Sequence, residues 1–308
     1  MLFTKIIFVL SVVFSYTKSN SLEFLELRNT DPSIIEDATL DTFTLIKKYG
    51  YPCEIHRVYT EDKYVLEMHR IPYGKENSIK GTRPVVFLQH GLLSSSAEFV
   101  LMRPDKGLAY VGNIRSPIIR AVAPFTNSLE KILKLIGANE ILPNGNLNKL
   151  AGEKLCIEEA ITQSLCTNLL FLFCGFDVEQ LNKTMLPVVM GHTPAGASTR
   201  QFIHFGQLYK SGKFAYFDHG WWTNRRTYGS FRPPAYNIST IKVPIFLHYA
   251  DNDWLSTPKD VDKLFKELKS VVGKYRVPLD NFNHLDFVFA NDAKKLIYDR
   301  IIRIMAQF

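Results

Sequence analysis

Two short, almost wholly apolar runs restrict this chain more than any other feature. Pro84-Val-Val-Phe-Leu-Gln-His90 ends at Gly91, and Val243-Pro-Ile-Phe-Leu-His-Tyr-Ala250 ends at the Asp251-Asn252-Asp253 loop. Runs of this length without alternation fit strands buried on both faces, as in a parallel sheet covered by helices. Behind the second run, Thr257-Pro258-Lys259-Asp260 has the N-cap, first-turn proline and acidic third position of a helix start, and Val261, Leu264, Phe265 and Leu268 then share one apolar face. A third strand is expected over Lys274 to Leu279. It leads through Asn281-Phe-Asn-His284 into a closing helix with Ala293, Leu296, Ile297, Ile301, Ile304 and Met305 on its inner face. Strand followed by helix, repeated, predicts an α/β architecture. Nearer the N-terminus, Asp37 to Lys48 has helical spacing, and Glu54 to Tyr73 divides about Glu61-Asp62 into the arms of a β-hairpin.

The 308 residues are 46% apolar and 22% charged, which supports a large core, and four cysteines are too few to staple such a chain. The net charge of +7 arises from 37 Lys and Arg interleaved with 30 Asp and Glu, a solvated basic surface rather than a nucleic-acid-binding tract. Residues 1–21 read as a secretory signal peptide, with Lys5, the apolar stretch Ile6 to Phe14 and the small-residue exit Ser19-Asn20-Ser21. This places the mature protein in a secreted or lysosomal compartment, where the sequons at Asn182 and Asn237 are expected glycosylation sites. No later apolar run exceeds Asn168 to Phe176, short of the roughly 20 residues of a membrane span. The remaining organisation reads as residues 22–115, the N-terminal part of the α/β core; 116–220, an aromatic-rich helical cap inserted over the carboxyl edge of the sheet; and 221–308, the C-terminal part of the core.

Ligands and catalytic groups gather in loops at the carboxyl ends of strands in such sheets. His90-Gly91-Leu92-Leu93 offers backbone N–H groups suited to an oxyanion hole, the Asp251-Asn252-Asp253 loop offers carboxylates, and Asn283-His284 offers a base. Asp ahead of His matches the chain order of α/β-hydrolases; of the two aspartates, Asp251 is the alternative cap of the following turn. The segments YGYPCEIHRVYTEDKYVLEMHRIP, VVFLQHGLLSSSAEFV, RSPIIRAVAPF, LCTNLLFLFCGFD, PAGAS, HYADNDWLSTPKDV and NHLDFVFANDA, in this order, resemble the acid lipase family of gastric, lysosomal and insect lipases along nearly the whole chain. The resemblance implies an α/β-hydrolase fold in which Leu92 gives an oxyanion-hole N–H, Asp253 orients the histidine and His284 is the general base and acid. It also implies a Cys156–Cys166 disulfide in the cap, a buried free thiol at Cys174, and triacylglycerols or steryl esters as substrates, with no metal or organic cofactor. Lipid ester substrates or a lipid ligand are the expected partners, with contact to the lipid interface through the cap. Lys63 departs from the family, which usually has glycine in that hairpin turn.

The family's nucleophile, a serine in a G-x-S-x-G elbow between the HGLL and RSPII segments, has no counterpart: Tyr110 runs directly into Val111. Among all serines only Ser198 has glycine two places before it, and none follows two places after. Gly191-His-Thr-Pro-Ala195 imitates an elbow, but Pro194 has no N–H to serve as the second oxyanion donor. The catalytic set therefore lacks its nucleophile, and the central sheet is expected to lack the elbow strand and its neighbours. Each large apolar side chain left facing water costs about 1.5 to 3 kcal/mol. Three readings follow: a lipase-family ester hydrolase inactive in this form, a lipid-binding pseudoenzyme, and a residual esterase using Ser94, Ser95 or Ser96.

Overall fold

The computed structural model describes residues 31–75, 85–103, 130, 132–133, 135–146, 150, 156 and 162–307. The expected signal peptide and the Tyr110–Val111 junction lie outside the described residues. Residues from Pro32 to Phe308 belong to one compact unit.

The helical spacing at 37–48 resolves into two helices, α1 (Pro32–Thr39) and α2 (Thr42–Lys48). The break falls at Asp41, whose side chain caps α2 by accepting the Thr44 N–H at 2.7 Å. The hairpin forms as expected, β1 (Glu54–Tyr59) pairing antiparallel with β2 (Val65–Arg70) and closing at Tyr59 opposite Val65. In its turn, Lys63 has φ of 71°.

Between residues 135 and 220 lie α3 (Gln163–Cys174), α4 (Leu186–His192) and α5 (Thr199–Ser211), with a short bridge between β3 (Glu140–Ile141) and β4 (Ala197–Ser198). The Cys156–Cys166 disulfide is buried against Leu186. α4 packs onto α1 at Gly191, where a Cβ would stand 2.3 Å from the Ala38 carbonyl oxygen. Around this contact Ile34, Leu45, Leu101, Met102, Val188 and Phe289 form one buried core. α6 (Trp221–Tyr228) follows.

The C-terminal part is a β-α-β unit: β5 (Ile245–Tyr249), α7 (Pro258–Glu267) and β6 (Val271–Arg276), the two strands pairing in parallel. α7 starts behind Thr257 with Pro258 in its first turn, as its sequence dictates. Its apolar face is only half used, Val261 and Leu268 being buried and Phe265 exposed. β6 begins before Lys274 and stops at Arg276, because only this stretch finds ladder partners on β5. The chain then passes through α8 (Asp286–Phe289) and a π turn at Lys294–Tyr298 into α9 (Asp299–Met305). Phe282 meets Phe287 edge-on at 5.1 Å between ring centroids, in a core with Val277, Ala293 and Ile297.

One expected strand is absent. Residues 85–90 have no strand structure, and Val85 is 90% and Phe87 71% exposed. A parallel strand requires neighbours to accept its ladder, and the described strands pair only within three separate two-stranded sheets. Apolar composition is not sufficient where no ladder is available. No helix of the described residues is long and apolar enough to cross a membrane.

The left-handed turn residue gives a direct test. A side chain in this region costs about 1 to 2 kcal/mol, partly offset by the chain entropy glycine loses on folding. Lys63→Gly should raise the melting temperature slightly and Lys63→Val should lower it, measured by differential scanning fluorimetry; a Val variant as stable as the parent would contradict the turn geometry.

Candidate active site

β5 delivers the Asp251-Asn252-Asp253 loop at its carboxyl end. Asp253 is buried, and its Oδ1 accepts the N–H groups of Leu255 at 2.8 Å and Ser256 at 2.6 Å. This Asx-type turn fixes the carboxylate before any partner arrives. Asp251 faces Arg276, whose Nε donates to it at 2.8 Å. The turn-capping role left open for Asp251 thus falls to Asp253.

The loop after β6 brings His284 to the same place. Its Nδ1 lies 3.0 Å from Asp253 Oδ2 and 3.1 Å from Oδ1. An ionised carboxylate only accepts, so Nδ1 carries the proton and Nε2 is left as the free base position of the neutral ring. Burial disfavours the imidazolium, but the charge and hydrogen bond of Asp253, with a further contribution from Glu98, outweigh it and raise the His284 pKa above its ordinary value. Asn283 sets the backbone here, its Oδ1 accepting from Leu285 N–H at 2.7 Å while its own N–H donates to Asp286 Oδ2 at 2.6 Å.

A third element joins the two loops. The Cys174 carbonyl, at the end of α3, accepts both the Trp254 and the His284 N–H, each at 3.3 Å. Next to it Asn283 Nδ2 donates to the Gly175 carbonyl at 3.0 Å, and Asn252 Nδ2 donates to the Phe176 carbonyl at 2.9 Å and the Asn281 carbonyl at 2.7 Å. Gly175, at φ of 109°, permits this approach, since a Cβ would stand 2.2 Å from the Asn252 carbonyl oxygen. Its position in Cys174-Gly175-Phe176, directly after an apolar helix, is the sequence signal of the join. Cys174 itself is a buried free thiol whose pKa burial pushes up.

Leu92 sits half-buried in the turn after residue 90, where Ser94 N–H donates to the Gly91 carbonyl and Leu93 has φ of 64°. This loop also supplies a group that sequence reasoning missed. Glu98 is buried, accepts the Ser94 hydroxyl, and has its carboxyl pKa raised by burial, with His90 and His284 as opposing charges nearby. Asp286 is likewise pushed up to about 8, chiefly by burial, and Asp177 is raised for the same reason. No pattern in the sequence marks Glu98, since its burial depends on how the loop folds back.

The substitute nucleophiles are otherwise engaged. Ser94 donates to Glu98, Ser95 accepts the Ala97 N–H, and Ser96 lies 2.7 Å from His69 Nδ1. Ser198 is the N-cap of α5, in a reciprocal capping box with Gln201, and it also meets the Tyr64 hydroxyl at 2.7 Å. The elbow imitation at Gly191 belongs to α4, and its glycine serves the contact with α1. Of the sequon residues, Asn237 is exposed beside a short 3-10 turn. Asn182 is half-buried, with Oδ1 accepting the Met185 N–H at 3.2 Å, and it lines a small interior pocket with Met102, Phe171 and Phe289. No cluster of His, Cys, Asp and Glu among the described residues is arranged to hold a metal.

Comparison with known proteins places these features. A family profile described as "Partial alpha/beta-hydrolase lipase region" matches residues 42–103. Lipase 3 of Drosophila melanogaster is 30% identical over 362 aligned positions, covering 85% of this chain and 92% of the relative. Gastric triacylglycerol lipase of Bos taurus is 30% identical over 397 positions, covering 97% and 98%, and the Homo sapiens protein of the same name is 30% identical over 369, covering 88% and 92%. With 85% of 308 residues, about 262, spread over 362 positions, roughly 100 positions of the Lipase 3 alignment have no residue in this chain. The shared length, the matched profile and the α/β-hydrolase fold it implies establish that this chain is a member of the acid lipase family.

Proposed function

We propose that this chain derives from a carboxylic ester hydrolase acting on triacylglycerols or steryl esters, and that in its present form it does not hydrolyse them. The reading rests on one observation: a buried, hydrogen-bonded Asp253–His284 pair persists in a chain of 308 residues that contains no G-x-S-x-G serine. In the family's acyl transfer, a serine oxygen attacks the ester carbonyl carbon and its proton passes to the histidine, then to the departing alcohol. Here His284 would take that proton at Nε2, Asp253 would hold its tautomer and orientation, and the Leu92 N–H would face the developing oxyanion. With no serine to deprotonate, the pair has nothing to activate. The roughly 100 unfilled alignment positions support loss of the elbow strand and its neighbours from the central sheet, as do the unpaired residues 85–90. Retention of lipid without hydrolysis is the alternative, and the preserved disulfide core of the insert favours it.

Two assays test the loss of hydrolysis. The full chain should neither release fatty acid from trioleoylglycerol or cholesteryl oleate nor react with a fluorophosphonate probe, whereas stoichiometric labelling would overturn the reading. Inserting the corresponding Lipase 3 segment between Tyr110 and Val111 should restore both signals, and His284→Ala in that chimera should lower turnover about 10³-fold or more.

The site also sets a pH dependence. Glu98, Asp177 and Asp286 are raised chiefly by burial, and His284 by Asp253 against burial. All four bind protons more tightly folded than unfolded, so their stabilisation is full below the unfolded pKa values and is lost as pH rises through the folded ones, about 8 for Asp286. Asp41, lowered mainly by the Thr44 N–H, acts oppositely only below about pH 4, and His248, lowered by burial and by Arg300, acts oppositely below about pH 6.5, against the larger shift of Asp286. The melting temperature should therefore be higher at pH 5 than at pH 8, and Asp286→Asn should flatten the slope; a profile that is level or rises toward pH 8 would contradict it.

A secreted or lysosomal destination fits this acid preference. Glycan attachment should occur at exposed Asn237 and not at inward-turned Asn182, read by peptide mapping after enzymatic deglycosylation in heavy-oxygen water.

A further inference from the structure

α6 carries a surface that the acyl-transfer site does not use. Trp221 is 63% and Trp222 72% exposed, and Phe231, at 40%, folds back beyond the helix end to place its ring 4.8 Å from Trp221 and 6.0 Å from Trp222. Three adjacent exposed rings form an apolar patch that a soluble surface ordinarily avoids. Helical spacing puts Arg225 one turn from Trp221 and Arg226 one turn from Trp222, and Arg232 adjoins Phe231. From residue 219 to residue 250 the chain has Arg225, Arg226, Arg232 and Lys242 and no Asp or Glu.

The patch is held rigidly from below. Asn224, 1% exposed, donates from Nδ2 to Asp218 Oδ1 at 2.8 Å and to the Phe231 carbonyl at 3.1 Å, while its Oδ1 accepts the His219 N–H at 2.9 Å. The segment before α6 and the segment after it are thereby fastened to one buried side chain. The rings stand out because the backbone holds them there.

We propose that Trp221, Trp222 and Phe231, flanked by Arg226 and Arg232, form a docking surface for an anionic lipid bilayer. Indole and phenyl rings partition into the boundary between headgroups and acyl chains, and arginines beside them meet lipid phosphates. Apart from Asp218, which Asn224 and the Gly220 N–H engage beneath the helix, the stretch carries no acidic residue, and this supplies the charge complementarity, each basic group near an anionic surface strengthening binding several-fold. The surface requires neither a nucleophile nor hydrolysis, so it stands or falls separately from the functional reading above.

Vesicle co-sedimentation of the full chain tests it. Binding to vesicles of phosphatidylcholine with phosphatidylglycerol should exceed binding to phosphatidylcholine alone and weaken in high salt. W221S/W222S should lower partitioning about 10-fold, and so should R226S/R232S, which spares the Arg225 side chain that donates to the Gly229 carbonyl. Far-UV circular dichroism identifies any variant that fails to fold, and the arginine pair then carries the test alone. Absence of binding by the parent chain, or equal binding by folded variants, would overturn the proposal. So would a stable dimer in size-exclusion chromatography that W221S/W222S dissociates, since the patch would then be covered by a second copy.

Discussion

The candidate site depends on a close backbone approach at the end of α3. The Cys174 carbonyl holds the N–H groups of Trp254 and His284, and Asn283 and Asn252 fasten the Gly175 and Phe176 carbonyls to the same two loops. Residues 76 to 110 positions apart in sequence thereby share one short stretch of main chain. With a side chain at position 175, the Asp253 and His284 loops would each lose an anchor, because the added carbon would strike the Asn252 carbonyl. The tight Asp253–His284 pair follows from this arrangement rather than from attraction between the two groups alone.

Around the pair, burial has gathered carboxyls whose pKa values all lie above the ordinary carboxylate range. Glu98, Asp177 and Asp286 come from three different segments, yet desolvation shifts each in the same direction. An interior of this kind favours an acidic medium without any single group acting as a switch. It also keeps the proposed base in a low-dielectric setting, where charge and hydrogen bonding from Asp253 prevail over the cost of burying an imidazolium.

The two apolar runs fare differently. The C-terminal β-α-β unit closes its own short ladder, and the segment after it buries Phe282, Phe287 and Ile297. Residues 85–90 have the composition of an interior strand but no ladder to join, and their apolar side chains face outward. A helix satisfies its backbone internally, whereas a strand depends on a neighbour.

The sequence by itself determined the α/β character, the hairpin, the start of α7 and the family, because these are carried by local pattern and by motifs in order. It also determined that no elbow serine exists, which is a property of the chain and not of its folding. Asp253 and His284 were legible as a pair, since both follow strand signals in the expected order. Chain order alone left Asp251 and Asp253 open and the family resemblance pointed to Asp253; the tertiary structure gives the two different partners, Arg276 for one and His284 for the other. It alone revealed buried Glu98, the role of Gly175, the aromatic patch held by Asn224 and the failure of residues 85–90 to form a strand. Each of these depends on what a residue meets across long separations in sequence, and hydrogen-bond partners, burial and ladder neighbours at that range are set by packing rather than by spacing.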